Sequence, residues 1–85
     1  NITNKIKKQI DFKLIGQNLE TIRKENKITQ KELAKIMGVS EATYVNYKNG
    51  ETPIQTEILK KFAIHFKVSL DWLVGKSKNK KLKED

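Results

Sequence analysis

The chain has 85 residues, no cysteine and a formal net charge of +8 at pH 7. That length holds one domain with a small core, near the size at which a fold needs well-packed helices or a partner subunit. Disulfides and thiolate metal sites are excluded, and the longest apolar runs are too short for a signal peptide or a membrane span, so a soluble, cytoplasmic protein is expected.

Asn rather than Met stands at position 1, which points to residues missing upstream. Residues 1–13 and 76–85 each carry +3, leaving only +2 for the middle of the chain. A basic balance invites a nucleic-acid partner, but a Lys-rich end is more often solvated than a specific contact, so the charge supports that partner without establishing it.

In chain order, residues 1–12 are an N-terminal extension whose Ile2, Ile6 and Ile10 repeat every four positions, a spacing that allows a helix. Asp11 is a suitable N-cap for a first helix, with Leu14, Ile15, Leu19 and Ile22 on one face up to Lys24 or Asn26. Thr29 and Glu32 form a capping box that starts a second helix near Gln30; Leu33, Ala34, Ile36 and Met37 supply its apolar stripe, and Gly38 ends it. Val39 packs into the corner, Ser40 caps a third helix over about Glu41 to Lys48, and Asn49-Gly50 stops it. Thr52 and Gln55, with Pro53 at the first helical position, read as a capping box that would start helix four. Its core face is Ile58, Leu59, Phe62, Ala63 and Phe66. Val68 leads to a Ser69 cap, and Leu70, Trp72, Leu73 and Val74 form a short fifth helix ended by Gly75. Residues 76–85, KSKNKKLKED, are expected to be a disordered tail, and the fold class is all-α with the main domain over residues 13–75.

The third helix is unusual on its outer side. Tyr44 and Tyr47 can face inward with Val39, which leaves Glu41, Ala42, Val45, Asn46 and Asn49 outward. Short polar and small apolar groups can approach base edges closely, whereas long charged side chains would mostly reach phosphates.

The segments IGQNLETIRKENKITQKELAKIMGVS, TYVNYKNG and ILKKFAIHFKVSLDWLVG resemble, in that order, the phage repressor and Cro-type helix-turn-helix proteins, the XRE family. The resemblance covers roughly residues 13 to 75 and implies a five-helix, lambda-repressor-like domain whose third helix enters the major groove of DNA. It also implies base-facing positions at Glu41, Ala42 and Asn46, with Val45 close by, and phosphate-facing positions at Gln30, Thr43 and Asn49. Asn46 can pair with adenine N6 and N7, and Ala42 or Val45 can touch a thymine methyl. Glu41 could accept from cytosine N4 or simply favour the helix N-terminus. The family's Pro near the start of helix four usually sits one residue later, where Ile54 stands, so that start is open to within a turn.

One position departs from the family. An Arg on helix one, here Arg23, often pairs with a Glu just before the Asn-Gly, but this chain has Lys48 there. Either Glu20 or Glu51 takes the Arg, or both cations face DNA; Lys48 reads as a phosphate contact or as a solvated surface residue.

The other conspicuous residues read as structure. Tyr44, Tyr47, Phe62, Phe66 and Trp72 have helical core spacing rather than the layout of a base-stacking platform. His65 is the only histidine, without a second His, a Cys or clustered carboxylates as partner, so no metal, cofactor or enzyme chemistry is expected. The expected function is site-specific binding of double-stranded DNA and transcriptional regulation, as a repressor. One recognition helix reads only a few base pairs, which argues for a homodimer on a palindrome, with Leu70, Val74 or the N-terminal extension as dimer surface. The rival readings are an antitoxin with a protein partner and a restriction-modification controller, each with autoregulatory DNA binding.

Overall fold

A computed structural model describes residues 10–81, and among them five helices and no strand occur. The first, α1 (Phe12–Glu25), opens where the Asp11 carboxylate accepts from the N–H groups of Lys13 and Leu14, each at 3.1 Å. Ile15, Leu19 and Ile22 form its buried edge. The second, α2 (Gln30–Met37), starts at the anticipated capping box: Glu32 N–H donates to Thr29 Oγ1 at 3.0 Å, and Thr29 N–H to Glu32 Oε1 at 2.7 Å. Gly38 closes it in the left-handed conformation at φ 78°, and the chain turns through Val39 to Ser40, whose hydroxyl accepts from Thr43 N–H at the head of α3 (Glu41–Asn49).

Helix four does not begin at the Thr52–Pro53 signal. The fourth helix, α4, runs Thr56–Phe66, and its N-cap Gln55 is extended and makes no side-chain capping bond. The intervening residues carry Ile54 into the core, where it is 7% exposed. Burying an Ile side chain is worth about 1.5–3 kcal/mol, against about 1 kcal/mol for an N-cap. The packing wins and the local signal goes unused.

The last helix, α5 (Leu70–Leu73), is capped by Ser69, whose hydroxyl accepts from Trp72 N–H, and it ends at Val74, one residue ahead of Gly75. Asn18 Nδ2, on α1, donates to the carbonyls of Trp72 and Leu73 at 3.1 Å each. The end of α5 therefore finds its hydrogen bonds on α1, which anchors a helix too short to persist alone.

The core is continuous across all five helices: Ile15, Leu19, Leu33, Met37, Tyr44, Phe62 and Leu73 are among its buried members, and Phe66 and Trp72 pack against it half-buried. Residues 76–81 depart from the expected disordered tail. Lys80 C=O accepts from Ser69 N–H at 2.8 Å, Val68 and Lys81 form an antiparallel bridge, and the Lys80 ammonium pairs with Glu25 while lying 6.0 Å from the Trp72 ring centroid. Residues 82–85, and residues 1–9 of the anticipated helical extension, lie outside the described residues.

Gly16 permits a close approach between two helices. A Cβ there would stand 2.2 Å from Lys48 O and 2.5 Å from Tyr47 O, so α1 and the end of α3 meet backbone to backbone. Helix propensity alone favours Ala over Gly by about 1 kcal/mol. Because the obstacle is backbone that cannot swing away, Gly16→Ala should instead destabilise the chain by about 1–3 kcal/mol, read as a lower midpoint in urea unfolding.

Candidate nucleic-acid interface

The third helix buries little. Tyr44 and Tyr47 are its buried side chains, while Glu41, Ala42, Asn46 and Asn49 are exposed and Thr43, Val45 and Lys48 are half-buried. Glu41, Val45 and Asn49, and likewise Ala42 and Asn46, follow one another at intervals of four, so these side chains share the outer face. Thr43 is partly engaged at the cap, where its Oγ1 accepts from Ser40 Oγ at 2.9 Å. Gln30 stands apart on α2, half-buried, with its Oε1 buried and without a hydrogen-bond partner.

Beneath α3 lies a polar cluster. Glu20 takes Arg23: Oε2 accepts from Nε and Oε1 from Nη2, both at 2.9 Å, in a fork that leaves each side chain under one-fifth exposed. Arg23 Nη1 donates to Ile28 O at 2.7 Å, and Tyr44 Oη donates to Glu20 Oε2 at 2.6 Å. Of the acids considered for Arg23, Glu20 is the one it meets, and Arg23 is turned into the protein rather than free to face DNA. Lys48 adds its charge to the same carboxylate. Burial pushes the Glu20 carboxyl up, but hydrogen bonds from Arg23 and Tyr44 and the charges of Arg23 and Lys48 outweigh it, holding the group below its ordinary 4.5. The Tyr44 phenol is raised by burial first and then by the Glu20 carboxylate.

Residues 19–73 match the helix-turn-helix family. The chain belongs to it.

Within this helix-turn-helix domain, α2, the Gly38 corner and α3 are the eponymous unit, and α1, α4 and α5 support it. The family is one of DNA-binding regulators and not a class of enzymes. Antitoxin PezA of Streptococcus pneumoniae serotype 4 (strain ATCC BAA-334 / TIGR4) is 35% identical over 65 residues, which cover 76% of this chain and 41% of that protein. The chain thus spans about two-fifths of that relative's length. The P22 c2 repressor, solved in complex with a synthetic operator, superposes with a TM-score of 0.67 at 28% identity, covering 74% of this chain and 96% of that one. The restriction-modification controller protein C.AhdI of Aeromonas hydrophila superposes with a TM-score of 0.66 at 21% identity over 74% of this chain and 91% of that one, a likeness of fold. The lambda-repressor-like architecture expected from the sequence is the one observed.

Three features of the site were not picked out from the sequence: the Tyr44–Glu20 bond, the Gly16 contact and the Asn18 clamp. A glycine in mid-helix is the one that leaves a trace, because it costs helix propensity and so implies a packing reason. No helix among the described residues is long and apolar enough to cross a membrane, and no group of three or more His, Cys, Asp or Glu gathers there as a metal site would.

A carboxylate whose pKa is lower folded than unfolded contributes stability that is fully present above the unfolded value and lost as pH falls through the folded one. For Glu20, faced by Arg23, Tyr44 and Lys48, that loss falls below pH 4.5. Glu20→Gln should therefore destabilise the chain at pH 7 and by progressively less as pH falls below 4.5, measured as the difference in urea midpoint between variant and wild type across a pH series.

Proposed function

We propose that this chain reads a specific sequence in duplex DNA with α3 and regulates transcription, as a repressor that binds a palindromic operator as a homodimer. The observation that carries this reading is the outer face of α3: an exposed surface of short side chains on a helix whose two buried tyrosines fix it to the core. The likeness to the P22 c2 repressor, a protein solved on operator DNA, supports it.

On this reading Glu41, Ala42, Val45 and Asn46 face the bases, and Gln30, Thr43, Lys48 and Asn49 face phosphates. Asn46 takes adenine through its amide, and Ala42 and Val45 offer methyl groups to thymine. Gln30 would meet a phosphate through its amide Nε2, the donor end, because its buried oxygen can only accept. Lys48 sits between the Glu20 carboxylate on one side and solvent on the other, so its ammonium can reach a phosphate without leaving a buried charge behind.

On this reading the dimer surface keeps Leu70 from the sequence expectation and adds Ile64, while the N-terminal extension, the other candidate, lies mostly outside the described residues. Leu70 and Val74 are half-buried against the core, whereas Ile64 on α4 is 77% exposed and borders, with Lys60, Ala63, Val68 and Leu70, a shallow apolar groove. A second copy is the occupant that operator recognition by one short helix per subunit requires.

A second reading is favoured by the 35% identity to antitoxin PezA: DNA binding that serves the autoregulation of an antitoxin with a protein partner. It uses the same α3 face and differs in what else the protein holds.

Asn46→Ala should weaken binding to a duplex recovered by selection from a random-sequence pool by about 1–3 kcal/mol and leave binding to unselected duplex nearly unchanged, in a fluorescence titration. Equal loss on both would remove Asn46 from the base readers. Ile64→Lys places a charge in the proposed dimer contact, so sedimentation should find the variant monomeric at concentrations where wild type is a dimer; a wild type that sediments as a monomer throughout sinks the dimer.

A further inference from the structure

The cluster under α3 joins three elements at one carboxylate. Glu20 lies within α1; Arg23, bonded to both its oxygens, reaches onward to the carbonyl of Ile28, the residue before the Thr29 cap of α2. Tyr44, fully buried, donates to the same carboxylate from the middle of α3, between Ala42 and Asn46. The entry of α2 and the centre of α3 are thus referred to a single point on α1, although Tyr44 and Glu20 are 24 positions apart in sequence.

Apolar packing alone does not fix such a relation sharply. A tyrosine ring in a greasy socket tolerates small slides and rotations of its helix, because dispersion and burial are non-directional. A charge-assisted bond of 2.6 Å is directional and about twice as strong as a neutral one. Contacts to base edges need placement within about 0.5 Å and 10–20°, and on α3 two buried tyrosines and the Gly16 contact near its C-terminal end are the packing available to set it.

We infer that Glu20 is a positioning residue for base reading: through Tyr44 and Arg23, its carboxylate sets the outer face of α3 relative to the N-terminus of α2. The role rests on the DNA-reading function proposed above. It takes the place of the Arg-to-α3 ion pair that Lys48 rules out, with a tyrosine hydroxyl in the α3 half and the acid moved to α1. Burial of Glu20 without these donors would be unfavourable, and its lowered pKa agrees with a carboxylate held in the charged form by them.

Tyr44→Phe keeps the ring in the core and removes one O–H; Glu20→Gln keeps the size and removes the charge. For each, affinity is measured on a selected duplex and on an unselected one, across a salt series and well below that variant's melting midpoint. The expected result is about a tenfold loss on the selected duplex, the change that one charge-assisted bond corresponds to, with unselected binding and its salt slope unchanged. Equal losses on both duplexes, the mark of a merely structural role, overturn the inference, and so does no loss on either. Should Tyr44→Phe fail to fold, Glu20→Gln carries the same comparison. A wild type that yields no preferred duplex in the selection instead fails the DNA-reading function itself and removes the basis of this role, a result visible before any variant is made.

Discussion

A helix that must offer its outer face to something else can spare few side chains for the core, and the packing around α3 follows from that constraint. Two tyrosines enter the interior from nine residues. What they lack in number is made up in kind: aromatic side chains bury large areas, Tyr44 ends in a hydroxyl that finds a carboxylate, and Gly16 lets the α1 backbone come up against the carbonyls of Tyr47 and Lys48. Close approach, burial and one directional bond together hold a helix whose remaining surface is left unspecialised for packing.

The same economy shows elsewhere in this small core. The fifth helix is four residues long and could not persist alone, yet its last carbonyls are met by Asn18 and its Leu73 is fully buried. Both α3 and α5 lean on α1, the longest helix, through polar groups of that helix: Glu20 towards α3 and Asn18 towards α5. Two residues apart, these side chains leave α1 in different directions, as helical geometry requires.

Helix starts were legible in the sequence where the signal is local. Asp11, the Thr29–Glu32 pair, Ser40 and Ser69 each close a hydrogen bond within three residues, so nothing remote is needed to predict them. The outward placement of Glu41, Ala42 and Asn46 follows from the 3.6-residue period once Tyr44 and Tyr47 are assigned inward. The start of α4 was legible only to within a turn because a local capping signal competed with the burial of Ile54, whose value depends on where the rest of the core lies. Glu20 was one of two acids named for Arg23, with Glu51, and nothing in the sequence tells that Tyr44 would join them across 24 positions. Ile64 was left off the core face of helix four, in keeping with its 77% exposure, but helical period alone does not tell that an outward apolar residue borders a groove.

The charge distribution completes the physical picture of the proposed reading. The middle of the chain is nearly neutral, and the outer face of α3 carries an acid, Glu41, with Lys48 at its margin and already shared with Glu20. A face so composed contributes little to the salt-dependent, sequence-independent attraction that Lys-rich surfaces give. On that reading its contribution is discrimination: Glu41 repels phosphate wherever no base donor answers it, and a misplaced α3 would meet that repulsion without the compensating contacts. A reader built from short side chains and one acid therefore depends on its placement more than a basic one would, which is why the carboxylate beneath α3 bears on specificity rather than on affinity at large.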